Sequence, residues 1–226
     1  MRGCYFYYIF NLLIFIIVMI NYTTNIVNKI IYYIKGVLYM NICQINDHDV
    51  ANGPGVRVSV YVSGCTFKCP GCHNPEAQAF DYGEKFDMSG EAKIMNALYP
   101  HYVTGLSILG GEPLHPKNIK QIRFLCELIR MKFHYEKSIW IWTGYTAEEM
   151  LEHLEEYDTK HKLAVPDYAK DLYLILQCAD VIVEGRYIES KRDLKLKFRG
   201  SSNQRIIDAN ALITDKKIKI CEEYMD

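Results

Sequence analysis

Cys65-Thr66-Phe67-Lys68-Cys69-Pro70-Gly71-Cys72 places three thiols within eight residues of a 226-residue chain. The run before it, Val56-Arg57-Val58-Ser59-Val60-Tyr61-Val62-Ser63-Gly64, alternates and is rich in β-branched residues. It reads as a strand that delivers the cysteines into a loop. A C-x3-C-x2-C loop gathers three thiolates on one turn of backbone. Four thiolates would close a 4Fe–4S cluster or a structural zinc site. Three leave one metal position open, and an open position is where a ligand can undergo chemistry. A disulfide scaffold does not suit a chain of this length. Zinc would want a fourth ligand; His73 adjoins Cys72, and adjacent residues rarely ligate one metal without strain. Zinc and plain core cysteines stay as the bland alternatives to an iron–sulfur cluster.

Length fits one domain with a substantial core. Net charge is −1 with both signs spread along the chain, so nothing argues for a nucleic-acid partner. One cluster of cysteines among eight in all is the usage of a reducing compartment, and the expected location is cytoplasmic. Cys43, Cys126, Cys178 and Cys221 read as ordinary small apolar residues. Residues 1–39 differ in character. Cys4 to Ile20 is almost continuous Phe, Tyr, Ile and Leu, and a second apolar run crosses Ile26 to Tyr39. By length the first run suits a membrane span or a signal sequence. Its narrow alphabet also suits translated AT-rich noncoding DNA, and the expectation is that Met40 begins the working protein. A membrane partner is expected only if residues 1–39 belong to it. The domain is expected over 40–210, with a charged C-terminal tail over 211–226.

Working outward from the cysteines, Asn41–Asn46 reads as a short strand and Asn52-Gly53-Pro54-Gly55 as a turn. Ser89 is the expected cap of a helix over Glu91–Leu98. Leu106–Leu109 reads as a buried strand running into Gly110-Gly111-Glu112-Pro113. A helix follows over 117–132 with Ile119, Ile122, Leu125, Leu128 and Ile129 on one face. Ser138–Trp142 is a strand ending at Thr143-Gly144-Tyr145. Thr146 caps a helix over Glu148–Glu156, residues 157–166 form a polar loop, Asp167–Gln177 is helical and Ala179–Val183 is a strand. Strand, loop and helix in repetition mean βαβ crossovers. The expected class is therefore α/β, with a mostly parallel sheet in an open, partial (β/α) barrel, because the units are too few for eight strands. In such folds the loops after the strand carboxyl ends share one site, and the cysteine loop, Gly-Gly-Glu-Pro and Trp-Thr-Gly-Tyr all hold that position. Paired glycines let backbone approach a ligand, and Glu112 suits an ammonium or hydroxyl; alone, the motif is equally a plain strand-to-helix turn.

The cysteine loop, Gly-Gly-Glu-Pro-Leu-His-Pro, Trp-Ile-Trp-Thr-Gly-Tyr, Asp180-Val-Ile-Val-Glu-Gly-Arg-Tyr and Arg199-Gly-Ser-Ser-Asn-Gln204 together resemble the radical S-adenosylmethionine (SAM) enzymes. Within them the set resembles the activating components of anaerobic ribonucleoside-triphosphate reductase, over about Met40 to Ile207. The resemblance implies that Cys65, Cys69 and Cys72 ligate three irons of a 4Fe–4S cluster whose fourth iron binds SAM. Gly110, Gly111 and Glu112 would contact the methionine part, with His73, Thr143, Gly144 and Tyr145 near the cofactor. It implies reductive cleavage of SAM and hydrogen abstraction from a glycine of the large reductase subunit, with a reducing protein as electron donor. The cluster and SAM carry the chemistry, so no residue is expected to act as an acid or base.

Two departures stand out. Gly71 precedes the third cysteine where the superfamily often has an aromatic residue, though this subfamily shares Pro-Gly-Cys. His73 stands where the subfamily commonly has Tyr, and Cys-His-Asn is similar to the pyruvate formate-lyase activating enzyme. Arg-Gly-Ser-Ser-Asn-Gln decides for the reductase activator. Outside the enzyme class, a non-catalytic iron–sulfur carrier or a zinc module would need a fourth ligand. His115 reads as a turn residue, and Trp140 and Trp142 as core packing on one strand face. The run Lys191–Arg199 reads as a solvated edge, or more sharply as a docking surface for the large reductase.

Overall fold

The structure is a computed structural model that describes residues 40–159 and 167–225. The expectations for residues 1–39, and for the polar loop at 160–166, lie outside the described residues. Seven strands form one sheet: β1 (Asn41–Asp49), β2 (Val56–Val62), β3 (Glu84–Lys85), β4 (Val103–Gly110), β5 (Ser138–Trp142), β6 (Val181–Glu184) and β7 (Arg205–Asp208). Their order is β3-β1-β2-β4-β5-β6-β7. The middle, β2-β4-β5-β6, is parallel, and the pairs β1/β2, β1/β3 and β6/β7 are antiparallel. The parallel expectation holds for the middle alone. The connection from Asp49 to Val56 is too short for a crossover, so β1 and β2 pair as a hairpin. The sheet is open, with β3 and β7 as its two edges.

Five helices connect and follow these strands: α1 (Met88–Leu98), α2 (Ile119–Phe133), α3 (Ala147–Thr159), α4 (Asp167–Cys178) and α5 (Ala209–Thr214). Asp87 caps α1 in place of Ser89, because its carboxylate accepts from the Ser89 and Gly90 N–H groups at 2.9 and 3.1 Å. Thr146 caps α3 as expected. Its hydroxyl accepts from the Glu149 N–H at 3.2 Å and the Glu149 carboxylate accepts from the Thr146 N–H at 2.8 Å, a reciprocal capping box.

The strand period of two sorts the sheet into two faces. Val58, Val60, Val62, Leu106, Ile108, Ile139, Ile141, Ile182 and Ile207 pack with Ile94, Ile122, Leu125, Leu154, Leu172, Ile175 and Leu212 of the helices. The opposite face holds Trp140, Val181, Val183 and Ile206, covered by Trp142, Phe198, Tyr224 and Met225. The chain after α5 returns to this face: the Cys221 N–H donates to Ile206 O at 2.9 Å, and the Tyr224 ring meets Trp140 edge-on at 4.9 Å. The two tryptophans are core packing, as their spacing suggests. Arg57, fully buried under the parallel strands, donates to Ser107 Oγ, Ser138 Oγ and Leu106 O at 2.7–2.8 Å.

Candidate functional site

The carboxyl ends of β2, β4, β5 and β6 point the same way, and the loops leaving them enclose a cavity of about 220 Å³. Cys65, Cys69, Cys72 and His73 line it from the first loop, Gly110, Gly111 and Glu112 from the second, Thr143 and Gly144 from the third. Gly185, Arg186 and Tyr187 after β6, and Gly200 and Gln204 before β7, complete the wall. Every site residue expected from sequence except Tyr145 faces this space. Tyr145 stands behind it, its ring 5.0 Å edge-on to Phe67 of the cysteine loop.

The cysteine loop is held by backbone on one side and by aromatic packing on the other. Gly64 and Cys65 donate their N–H groups to Ala77 O and Gln78 O at 2.7 and 3.1 Å. At the tip, the Phe67 ring lies over Gly144, where an added Cβ would fall 2.5 Å from it. The Arg186 guanidinium stacks on that ring at 4.4 Å while pairing with Glu149 at 2.7 Å. Burial pushes the Cys65 thiol up to about 11 and raises that of Cys69. Metal ligation would exchange those protons for a cation.

The Gly-Gly-Glu motif earns its glycines from the protein itself. A Cβ on Gly111 would lie 2.7 Å from Gly64 O and 2.8 Å from Ala77 O, so only glycine lets the second loop close on the first. The Gly111 and Glu112 N–H groups donate to Val62 O and Gly64 O at 2.7 and 2.9 Å across that contact. Asn118, at the start of α2 and buried, ties the same two loops: its amide donates to Ser63 O and Glu112 O, both at 2.9 Å.

Glu112 is buried, and desolvation raises its carboxyl to about 7 in spite of three donors. Oε1 accepts from Leu114 N–H at 2.9 Å and Thr143 Oγ1 at 2.7 Å, and Oε2 from Gly144 N–H at 2.7 Å. These bonds join the loops after β4 and β5. A carboxylate accepts about four hydrogen bonds, so Oε2 keeps room for one donor from the cavity. A cationic donor there would offset the cost of holding the charge in a buried place.

Arg199 to Gln204 builds the last wall. The Gln204 side chain accepts from Gly200 N–H at 2.8 Å and donates to Gly185 O at 2.9 Å, and the Asn203 amide donates to Arg186 O at 2.8 Å. The motif thus splints the loop after β6 and places Gly200 and Gln204 on the cavity. His115 is a turn residue, its carbonyl accepting from Asn118 and Ile119 N–H.

The donor set suits an iron–sulfur cluster: three soft thiols, no hard-oxygen cage, and one buried carboxylate opposite. The thiols share one wall without being drawn to a point. Among the described residues no three His, Cys, Asp or Glu side chains converge at metal-ligating distance.

Comparison with known proteins decides the family. Residues 51–207 match the 4Fe-4S single cluster domain, a span that runs from the turn before β2 into β7. The anaerobic ribonucleoside-triphosphate reductase-activating protein of Escherichia coli (strain K12) is 35% identical over 167 residues, covering 73% of this chain and 96% of that protein. The proteins of the same name from Haemophilus influenzae and Enterobacteria phage T4 are each 35% identical, covering 74% of this chain and 97% and 93% of themselves. The chain belongs to the anaerobic ribonucleoside-triphosphate reductase-activating protein family. It carries the 4Fe–4S domain of that family, and the cysteine loop, the glycine loop and the Arg199–Gln204 wall all lie inside the matched span.

Asn118, Phe67 and Arg186 escaped sequence reasoning. Each acts through a partner distant in sequence, and nothing local marks them. The one available hint was that Phe67 and Arg186 sit within motifs already singled out.

Proposed function

We propose that this protein is the iron–sulfur, SAM-dependent activating enzyme of an anaerobic ribonucleoside-triphosphate reductase, generating a glycyl radical on the large subunit. The observation that carries the reading is the single cavity shared by three thiols, the Gly110–Glu112 loop and the Thr143–Gly144 loop. Cys65, Cys69 and Cys72 would hold the cluster, their three thiols leaving one position for SAM. When bound, the reduced cluster and SAM would supply one-electron cleavage of the sulfonium and, through it, removal of a hydrogen atom from the partner's glycine.

The chain's part is to bind, orient and shield. Glu112 offers its remaining acceptor site to the ammonium of SAM. Thr143 and Gly144 hold that carboxylate in place, and Phe67 under Arg186 fixes the cysteine loop against them. Leu109, Trp142 and Tyr187 give the cavity apolar walls that limit water around a reactive radical. We read the open sheet as a partial barrel, with the cavity mouth at its strand carboxyl ends admitting the partner's glycine. A reducing protein supplies the electron, and a half-exposed loop of three thiols suits a reducing compartment such as the cytoplasm. Among the described residues no helix is long and apolar enough to cross a membrane.

The test is anaerobic reconstitution with iron and sulfide, reduction with dithionite, and addition of SAM and the large reductase. A glycyl-radical EPR signal on the large subunit is expected. SAM cleavage with no radical on that subunit would assign the enzyme to another partner.

A further inference from the structure

The loop between the two wall segments, residues 188–199, has chemistry that the cavity does not use. Lys191, Arg192, Lys195 and Lys197 are exposed cations; the carboxylates of the loop are Glu189, which lies against Gly71, and Asp193, which accepts from Lys195 N–H at 2.9 Å. Among the described residues none of the four has a carboxylate partner. Four arginines elsewhere in the fold behave differently: Arg123, Arg130, Arg186 and Arg205 pair with Asp171, Asp180, Glu149 and Glu148. Between the cations Leu194 is 85% exposed, the most exposed large hydrophobic among the described residues. In a chain of net charge −1, a basic loop tipped by a bare leucine is a local departure.

The loop is held at both ends and open between them. Ser202 N–H donates to Lys191 O at 2.9 Å, Arg192 bridges to Ser201, and Phe198 packs edge-on to Trp140 at 5.5 Å. It also borders the reaction site. Tyr187 before it and Gly200 after it line the cavity, and the Glu189 side chain lies against Gly71 of the cysteine loop. A protein whose backbone glycine must reach the cavity has to pass this rim.

We propose that residues 191–197 are the docking edge for the large reductase subunit, engaging an acidic surface with an apolar recess that takes Leu194. The inference rests on the proposed function for the identity of the partner. The charges steer the approach and set its salt dependence, and the leucine supplies the desolvated contact. Because the loop touches the cysteine loop at Gly71, docking presses on the wall that holds Cys69 and Cys72.

The test measures affinity of the reconstituted protein for the intact large reductase, with 5′-deoxyadenosine formation under dithionite, without partner, as a separate readout. Lys195→Glu/Lys197→Glu and Leu194→Asp should each weaken binding about tenfold or more, and the double variant should lose most of the salt dependence. Partner-free SAM cleavage should stay at the wild-type rate. A control pair on exposed helix positions, Lys93→Glu/Lys170→Glu, should bind as wild type. Unchanged affinity in the loop variants, or an equal loss in the control, would overturn the proposal. So would normal partner binding with slower reduction by a protein donor, which would give the edge to that donor. Failure of the proposed function reads out differently, as a wild-type protein that cleaves no SAM.

Discussion

Gly111 is the residue on which the site closes. With carbonyl oxygens at 2.7 and 2.8 Å from any Cβ, Gly111→Ala must push the second loop off the first. The expected cost is about 1–3 kcal/mol, the range of overpacking in a tight place. Thermal unfolding should show it as a lowered midpoint, and cluster loading should fall with it. Gly200→Ala is the contrast, since its nearest neighbour is the side of the Tyr187 ring at 3.1 Å; it should fold normally. Glu112→Gln keeps the size of the side chain, removes the charge and faces one N–H donor with an amide. Losing a charge-assisted hydrogen bond of about 1.5–3 kcal/mol should weaken SAM binding by about ten- to a hundredfold while leaving the cluster spectrum in place. Unaltered SAM affinity would remove Glu112 from the ligand site. At this scale the thiols and the glycines were legible because a spacing or a missing side chain is itself the signal. The reason for the glycines was not: they serve the approach of Gly64 and Ala77 as well as any ligand. Asn118 was silent because the loop it ties down at Ser63 is 55 residues away.

At the scale of elements, period and capping chemistry located the helices and strands. Ser138–Trp142 and the Thr146 cap came through unchanged, since alternation and a Thr-x-x-Glu box are local. The cap of α1 was misplaced by two residues because Asp87 and Ser89 are both good caps, and only the path of the chain after Phe86 selects between them. The pairing of α2 with α4 carries a pH dependence. Arg123 meets the buried Asp171 at 2.6 Å, yet burial raises the Asp171 carboxyl above its ordinary 3.8. A folded value above the unfolded one means the fold binds this proton more tightly, so the stability it contributes is full below 3.8 and is lost as pH rises through the raised value. Asp171→Asn removes the titration. In urea unfolding at a series of pH values, the variant should lose stability less steeply than wild type above 3.8. Parallel curves would contradict this.

For the whole molecule, the repeated strand–helix pattern announced the α/β class and put three motifs at one end of a parallel sheet. Strand order and the antiparallel edges were not legible. They depend on whether a connection is long enough to cross over, and on where the chain after α5 lays its apolar residues. Residues 219–225 return to the second sheet face, where Tyr224 and Met225 complete an apolar cluster that no helix covers among the described residues. That arrangement leaves the described helices on one face and puts the cavity at the carboxyl ends of the parallel strands, beside the basic 191–197 loop. The site is therefore an assembly of loops from four strands, and it works only if all of them bear on one cofactor.

The central claim, that three thiols and the facing loops make one SAM-cleaving site, is tested most directly by 5′-deoxyadenosine formation from anaerobically reconstituted, dithionite-reduced protein. Wild type is predicted to form it, and Cys65→Ala, Cys69→Ala and Cys72→Ala are each predicted to form none. A wild-type protein that forms none with its cluster loaded, or a cysteine variant that retains activity, would contradict the account.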